Sequence, residues 1–161
     1  MHMYNDPQQR IHPSALKAWM LSGWISAAVY GVIVAGVIYL SVRFDWPPWI
    51  AIAVTVLALA ESVLEILIWP KLKYKQWRYE ILEEEIQLQY GILVRHRTLI
   101  PMIRVQHVDT KQGPILRRYG LATVTFSTAA GSHEIPALSE AAAEQVRRRI
   151  ANLARLSDEE I

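Results

Sequence analysis

The chain has 161 residues, no Cys, and 17 Lys and Arg against 15 Asp and Glu. Without Cys there is no disulfide framework, thiolate metal site or cysteine nucleophile, and a net charge of +2 gives no footing for nucleic-acid binding. Six Trp and seven Tyr are many for this length, and most lie in or beside apolar stretches, as rings that prefer the membrane interface do.

His12, Pro13 and Ser14 predict a helix start, with Ser14 as N-cap. No charge lies between Lys17 and Arg43, and the stretch Ala18 to Val42 exceeds the ~20 residues a helix needs to cross a bilayer. It is too long and too late for the apolar core of a signal peptide. A break follows at Arg43 to Pro48, where two prolines can open a helix but not continue one. A second apolar run, Trp49 to Trp69, is expected to stop at Pro70, and it contains Glu61 and Glu65. The sequence therefore predicts a transmembrane helical hairpin over residues 1–73, with helices at about 15–42 and 48–69. Arg10, Lys17, Lys71, Lys73, Lys75 and Arg78 flank its outer ends, whereas the connection carries Arg43 beside Asp45. That asymmetry places both termini in the cytoplasm of a multi-pass cell-membrane protein. Lys71, Lys73, Lys75 and Arg78 follow the membrane exit and suit anionic headgroups.

From residue 74 the pattern changes to a soluble domain, 74–161. Trp77, Tyr79 and Ile81 share one face of a first strand over 76–82, and Glu83 to Glu85 form a charged turn. Ile86, Leu88 and Tyr90 alternate with Gln87 and Gln89 in a second strand. Gly91 marks a turn, Ile92 to Ile100 a third strand ended by Pro101, and Val105 to Lys111 a fourth. Gly113 and Pro114 break the pattern, and Ile115 to Tyr119 read as one helical turn closed by Gly120. Ala122, Val124 and Phe126 define a fifth strand, and His133 to Ile135 a short sixth after a turn at Gly131. Ser139 is a credible N-cap for a final helix that packs Ala143, Val146, Ile150 and Leu153 on the sheet.

Three segments carry a family resemblance: Arg78-Tyr79-Glu80-Ile81, Tyr90-Gly91-Ile92-Leu93 and, most specifically, Ile100 to Asp109. Gln112 to Ala122 and Thr128 to Gly131 continue it. On these residues the chain resembles the YdbS-like bacterial membrane proteins, which carry the second class of bacterial pleckstrin-homology (PH) domain. The resemblance spans nearly the whole chain and implies an α+β membrane protein. A two-helix hairpin would be followed by a PH-like antiparallel β-barrel, capped by a C-terminal helix. It brings no catalytic residues. The motif positions it singles out are Pro101, Arg104, Gln106, Asp109, Gly113, Pro114, Arg117 and Gly120. Glu83 to Glu85 replace the basic loop that phosphoinositide-binding PH folds use.

His2, His12, His96, His107 and His133 show no metal-ligand spacing. Ser127, His107 and Asp109 have the residue types of a triad but no nucleophile elbow. No glycine-rich phosphate loop is present. Arg95, His96 and Arg97, and likewise Arg104, Arg117 and Arg118, fit either a solvated face or contact with anionic lipid or an acidic partner. Arg104 and Asp109 are close enough in sequence to pair. The expected function is a non-enzymatic, membrane-anchored binding or assembly module without a cofactor. It is expected to engage the lipid bilayer and a protein partner or a homo-oligomer, and no nucleic acid. The alternative is a sensor or stress component that reads anionic lipid headgroups.

Overall fold

The structure, a computed structural model, describes residues 6–159. It divides into two units: residues 16–71, and residues up to 15 together with 72–161.

The first unit is helical. Helix α1 runs Ala15–Arg43, starting directly after Ser14. The Ser14 N–H donates to His12 Nδ1 at 3.1 Å and the Ala15 N–H to the His12 carbonyl, so His12 organises the start beside the expected cap. Asp45, at φ +52, turns the chain, and the Trp46 N–H closes the turn on the Ser41 carbonyl. Helix α2, Pro48–Val63, has Pro at its first position, where the missing N–H costs nothing. The helix does not stop at Pro70. A π-helical turn at Leu64–Ile68 leads into α3, Trp69–Gln76. The Trp69 N–H reaches back to the Leu64 carbonyl, and this wider turn just before Pro70 relieves the clash that proline imposes on an α-helical turn. Ala15–Arg43 and Pro48–Gln76 are each 29 residues long and apolar enough to cross a membrane. Their large side chains point outward, with Val32 73% and Val42 77% exposed. An apolar surface of that kind suits contact with lipid.

The second unit is built on two antiparallel sheets. Strands β1 (Gln9–Arg10), β2 (Arg78–Ile81), β3 (Glu85–Tyr90) and β4 (His96–Pro101) form one, in that order. Strands β5 (Val105–Lys111), β6 (Leu121–Thr128) and β7 (Gly131–Ser139) form the other. A 3-10 turn at Met102–Arg104 joins them, and α4 (Pro114–Arg118) links β5 to β6. The PH-like strands thus form two sheets and do not close into one hydrogen-bonded barrel. The final helix α5, Glu140–Glu159, packs on β5, β6, β7 and the 3-10 turn. Ser139 caps it, its Oγ accepting from the Ala142 N–H at 3.2 Å.

The division of 1–73 from 74–161 shifts at both ends, and after the helices it falls between 71 and 72. Residues just before α1 join the sheet unit, through β1 on β2 and the His12 N–H on the Ala137 carbonyl. Ile11 anchors them, only 1% exposed. Three strands also differ in length, the first being Arg78–Ile81 because Gln76 belongs to α3. Residues 91–95 form a loop, so β4 starts at His96, and β7 is much longer than His133 to Ile135.

The core follows the alternation. Ile81, Ile86 and Ile100 line up across β2, β3 and β4, as Tyr79 and Leu88 do across β2 and β3, and all five are buried. Val124 faces Ile135 in the second sheet, and Phe126 stacks on His133 with ring centroids 5.8 Å apart. Ala143, Val146 and Ile150 close the core from α5. Each fully buried Ile, Leu or Phe side chain is worth about 1.5–3 kcal/mol of transfer free energy.

Candidate functional site

The family motif forms the edge of the second sheet. Among the described residues strand β5 pairs with β6 alone, which leaves its other edge without a strand partner. A β-bulge between Val105 and His107 leaves Gln106 without a register partner, which limits any regular free edge to the stretch from His107 to Lys111. Beside it, Ile103, Val105, Gln106, His107 and Val108 face Ala151, Ala154 and Arg155 of α5 across a groove of about 570 Å³. Small side chains on the α5 wall keep the groove open.

Polar groups fix this region. His107 Nε2 lies 2.8 Å from Asp109 Oδ2. The expected partner of Asp109, Arg104, is replaced by His107, because residues two apart on a strand share a face. On α5, Glu144 accepts from Arg147 Nε and Nη2 at 3.0 and 2.7 Å and from Arg148 Nε at 2.7 Å. The Arg147 and Arg148 hydrogen bonds pull the Glu144 carboxyl down to about 2. Gln112 Nε2 bridges the Leu121 carbonyl and Glu140 Oε1 at the start of α5.

The remaining motif positions build turns. Pro101 ends β4, and the next N–H, that of Met102, donates to the Glu84 carbonyl at 2.8 Å. Gly113 and Pro114 open α4, while Arg104 and Arg117 are exposed. Gly120 has φ +63 and closes α4, its N–H donating to the Arg117 carbonyl.

The triad residue types do meet: His107 sits opposite Ser127 across β5 and β6 and beside Asp109. The His107 and Asp109 side chains are 70% and 57% exposed, so water has free access. Among the described residues no hydrogen bond joins Ser127 to His107, and no cluster of three metal-ligating side chains exists.

In the helical unit, Tyr30 Oη donates to Glu65 Oε1 at 3.0 Å. Glu65 thus makes a polar contact to the first helix, and Glu61 is exposed. Ser22 donates to the Ala18 carbonyl of its own helix. Lys71 is exposed in this unit. Lys73 and Lys75 belong to α3, and Arg78 opens β2.

A family model described as Bacterial PH domain matches residues 21–154. The chain is also 46% identical over 159 residues to the UPF0699 transmembrane protein YdbS of Bacillus subtilis (strain 168), covering 99% of this chain and 100% of that protein. No solved structure matches it.

Proposed function

The chain belongs to the bacterial PH domain family and is a membrane protein, and from that premise we propose that it is a non-enzymatic binding module working on the cytoplasmic face. Its sheet unit takes a protein segment, from a partner or from a second copy, along β5 and the groove beside α5. The carrying observation is the open β5 edge next to that groove. An edge strand offers unpaired backbone groups in a fixed register, and the adjacent groove, lined by both polar and apolar side chains, supplies side-chain selectivity. Ile103, Val105 and Val108 give the apolar contact, and Arg155 and His107 the polar rim. The exposed His107–Asp109 pair belongs to this recognition surface rather than to catalysis.

The test is photo-crosslinking in native membranes. A photoreactive residue at Thr110 should give a protein adduct, and one at Glu83, on the far turn of the other sheet, should not. The adduct's mass separates a second copy from a different protein. Adducts at Glu83 alone, or at neither position, would overturn the reading.

A further inference from the structure

A second cavity, of about 400 Å³, lies in the sheet unit away from β5. Arg10, Lys75, Arg78 and Arg95 line it, with Asp6 as its one carboxylate. Asp6 is engaged by Arg97 at 3.7 Å. Among the described residues none of the four lining cations forms an ion pair.

Strand register builds this concentration of charge. Arg10 faces Arg78 across β1 and β2, Arg78 faces Gln89, and Gln89 faces Arg97. One row across all four strands therefore carries three arginines on one face. Directly opposed like charges destabilise a sheet pair, so Arg10 against Arg78 is a standing cost that a bound anion would remove.

Two further features narrow the anion. Gln76 and Gln89 both line the cavity, and the amide oxygen of each is buried without a donor. A buried acceptor lacking a donor is costly, and ligand hydroxyls would satisfy it. The cavity wall also continues into the loop 91–95, tied to Gln76 by its Nε2 donating to the Ile92 carbonyl at 3.2 Å. At the loop's tip Leu93 is 91% and Val94 65% exposed, directly before Arg95. An apolar tip beside basic side chains is the arrangement that inserts into the headgroup layer.

We propose that this cavity binds the phosphate of an anionic lipid with a hydroxylated headgroup, while Leu93 and Val94 dip into the acyl boundary. Arg10 and Arg78 hold the phosphate, and the amide oxygens of Gln76 and Gln89 accept from the headgroup hydroxyls. The site lies at the opposite end of β2 and β3 from the Glu83–Glu85 turn. It is independent of the β5 groove, so either proposal can fail alone.

The test uses the full chain in detergent, with thermal unfolding and a binding isotherm as readouts. The probes are short-chain phosphatidylglycerol, short-chain phosphatidylcholine, free glycerol phosphate and inorganic phosphate. Phosphatidylglycerol should raise the melting temperature and phosphatidylcholine should not. Arg78→Gln should weaken binding about tenfold, the worth of one charge-assisted hydrogen bond. Gln89→Leu should weaken phosphatidylglycerol while leaving inorganic phosphate unchanged. Leu93→Ser should weaken the lipid but not free glycerol phosphate, which separates a lipid from a soluble source. Equal affinity for both, unaffected by Leu93→Ser, would overturn the lipid assignment. Without ligand at low salt, Arg10→Gln should raise the melting temperature. No response to any anion, or wild-type binding in Arg78→Gln, would overturn the site.

Discussion

Gly120 and Glu144 show how single residues act here by different physics. Gly120 sits at φ +63, and a Cβ there would meet nothing within 4 Å. The cost of a side chain is thus conformational alone. Gly120→Ala should destabilise by about 1 kcal/mol and Gly120→Asn by less, because Asn tolerates the left-handed region. Chemical unfolding of the full chain checks this, and equal losses for both would point to a packing role. Glu144 acts through charge. Its folded value, held to about 2 chiefly by Arg147 and then by Arg148, lies below the ordinary 4.5. The stability it contributes is therefore present above about 4.5 and is lost as pH falls toward 2. Glu144→Gln should flatten the acid limb of melting temperature against pH in that window, and salt should flatten it in the wild type too. An acid limb unchanged by Glu144→Gln would remove this pair from the account of α5.

At the level of elements, the helical hairpin depends on one close approach. A Cβ at Gly23 would lie 2.9 Å from the Glu65 carbonyl oxygen and 3.0 Å from Ile66 Cγ1. The obstacle is backbone at the π-helical turn, so it cannot swing aside. Small residues at such contacts let membrane helices pack, and the Tyr30–Glu65 hydrogen bond adds to it. Gly23→Leu should weaken hairpin packing by about 1–3 kcal/mol, and Tyr30→Phe by about 0.6 kcal/mol. Unfolding in mild detergent measures both, and a neutral Gly23→Leu would contradict the contact. Most elements were legible in the sequence. Alternation marked β3 and β6, Gly113 and Pro114 the start of α4, and Ser139 the start of α5. The misreadings share a cause in tertiary context. Pro70 reads as a stop because a proline cannot show that a π turn precedes it. Strand β1 is two residues long, and only pairing with β2 makes it a strand. Arg10, Arg78 and Arg95 are far apart in the chain, so the basic cavity exists only through register. Glu61 and Glu65 lie one turn apart, and the contact of Tyr30 with Glu65 exists only in the folded hairpin.

For the whole molecule, orientation in the membrane fixes what either surface can meet. Two helices long and apolar enough to span, joined by four residues, would cross in opposite directions and leave both outer ends on one side. Net charge is no guide, being only +2. The distribution is: Arg10, Lys17, Lys71, Lys73, Lys75 and Arg78 lie at the outer ends, and Arg43 beside Asp45 lies in the connection. Basic residues close to membrane helices are retained on the cytoplasmic side. The sheet unit would then face the leaflet richer in anionic lipid, where a phosphate cavity has a ligand and a free strand edge has cytoplasmic partners. The chain has no native Cys, so single introduced cysteines report cleanly. In intact cells Asp45→Cys should react with a membrane-impermeant maleimide. Ala129→Cys, at the exposed turn between β6 and β7, should react only after the cells are opened. The reverse pattern would put the sheet unit outside, and with it both proposed binding surfaces.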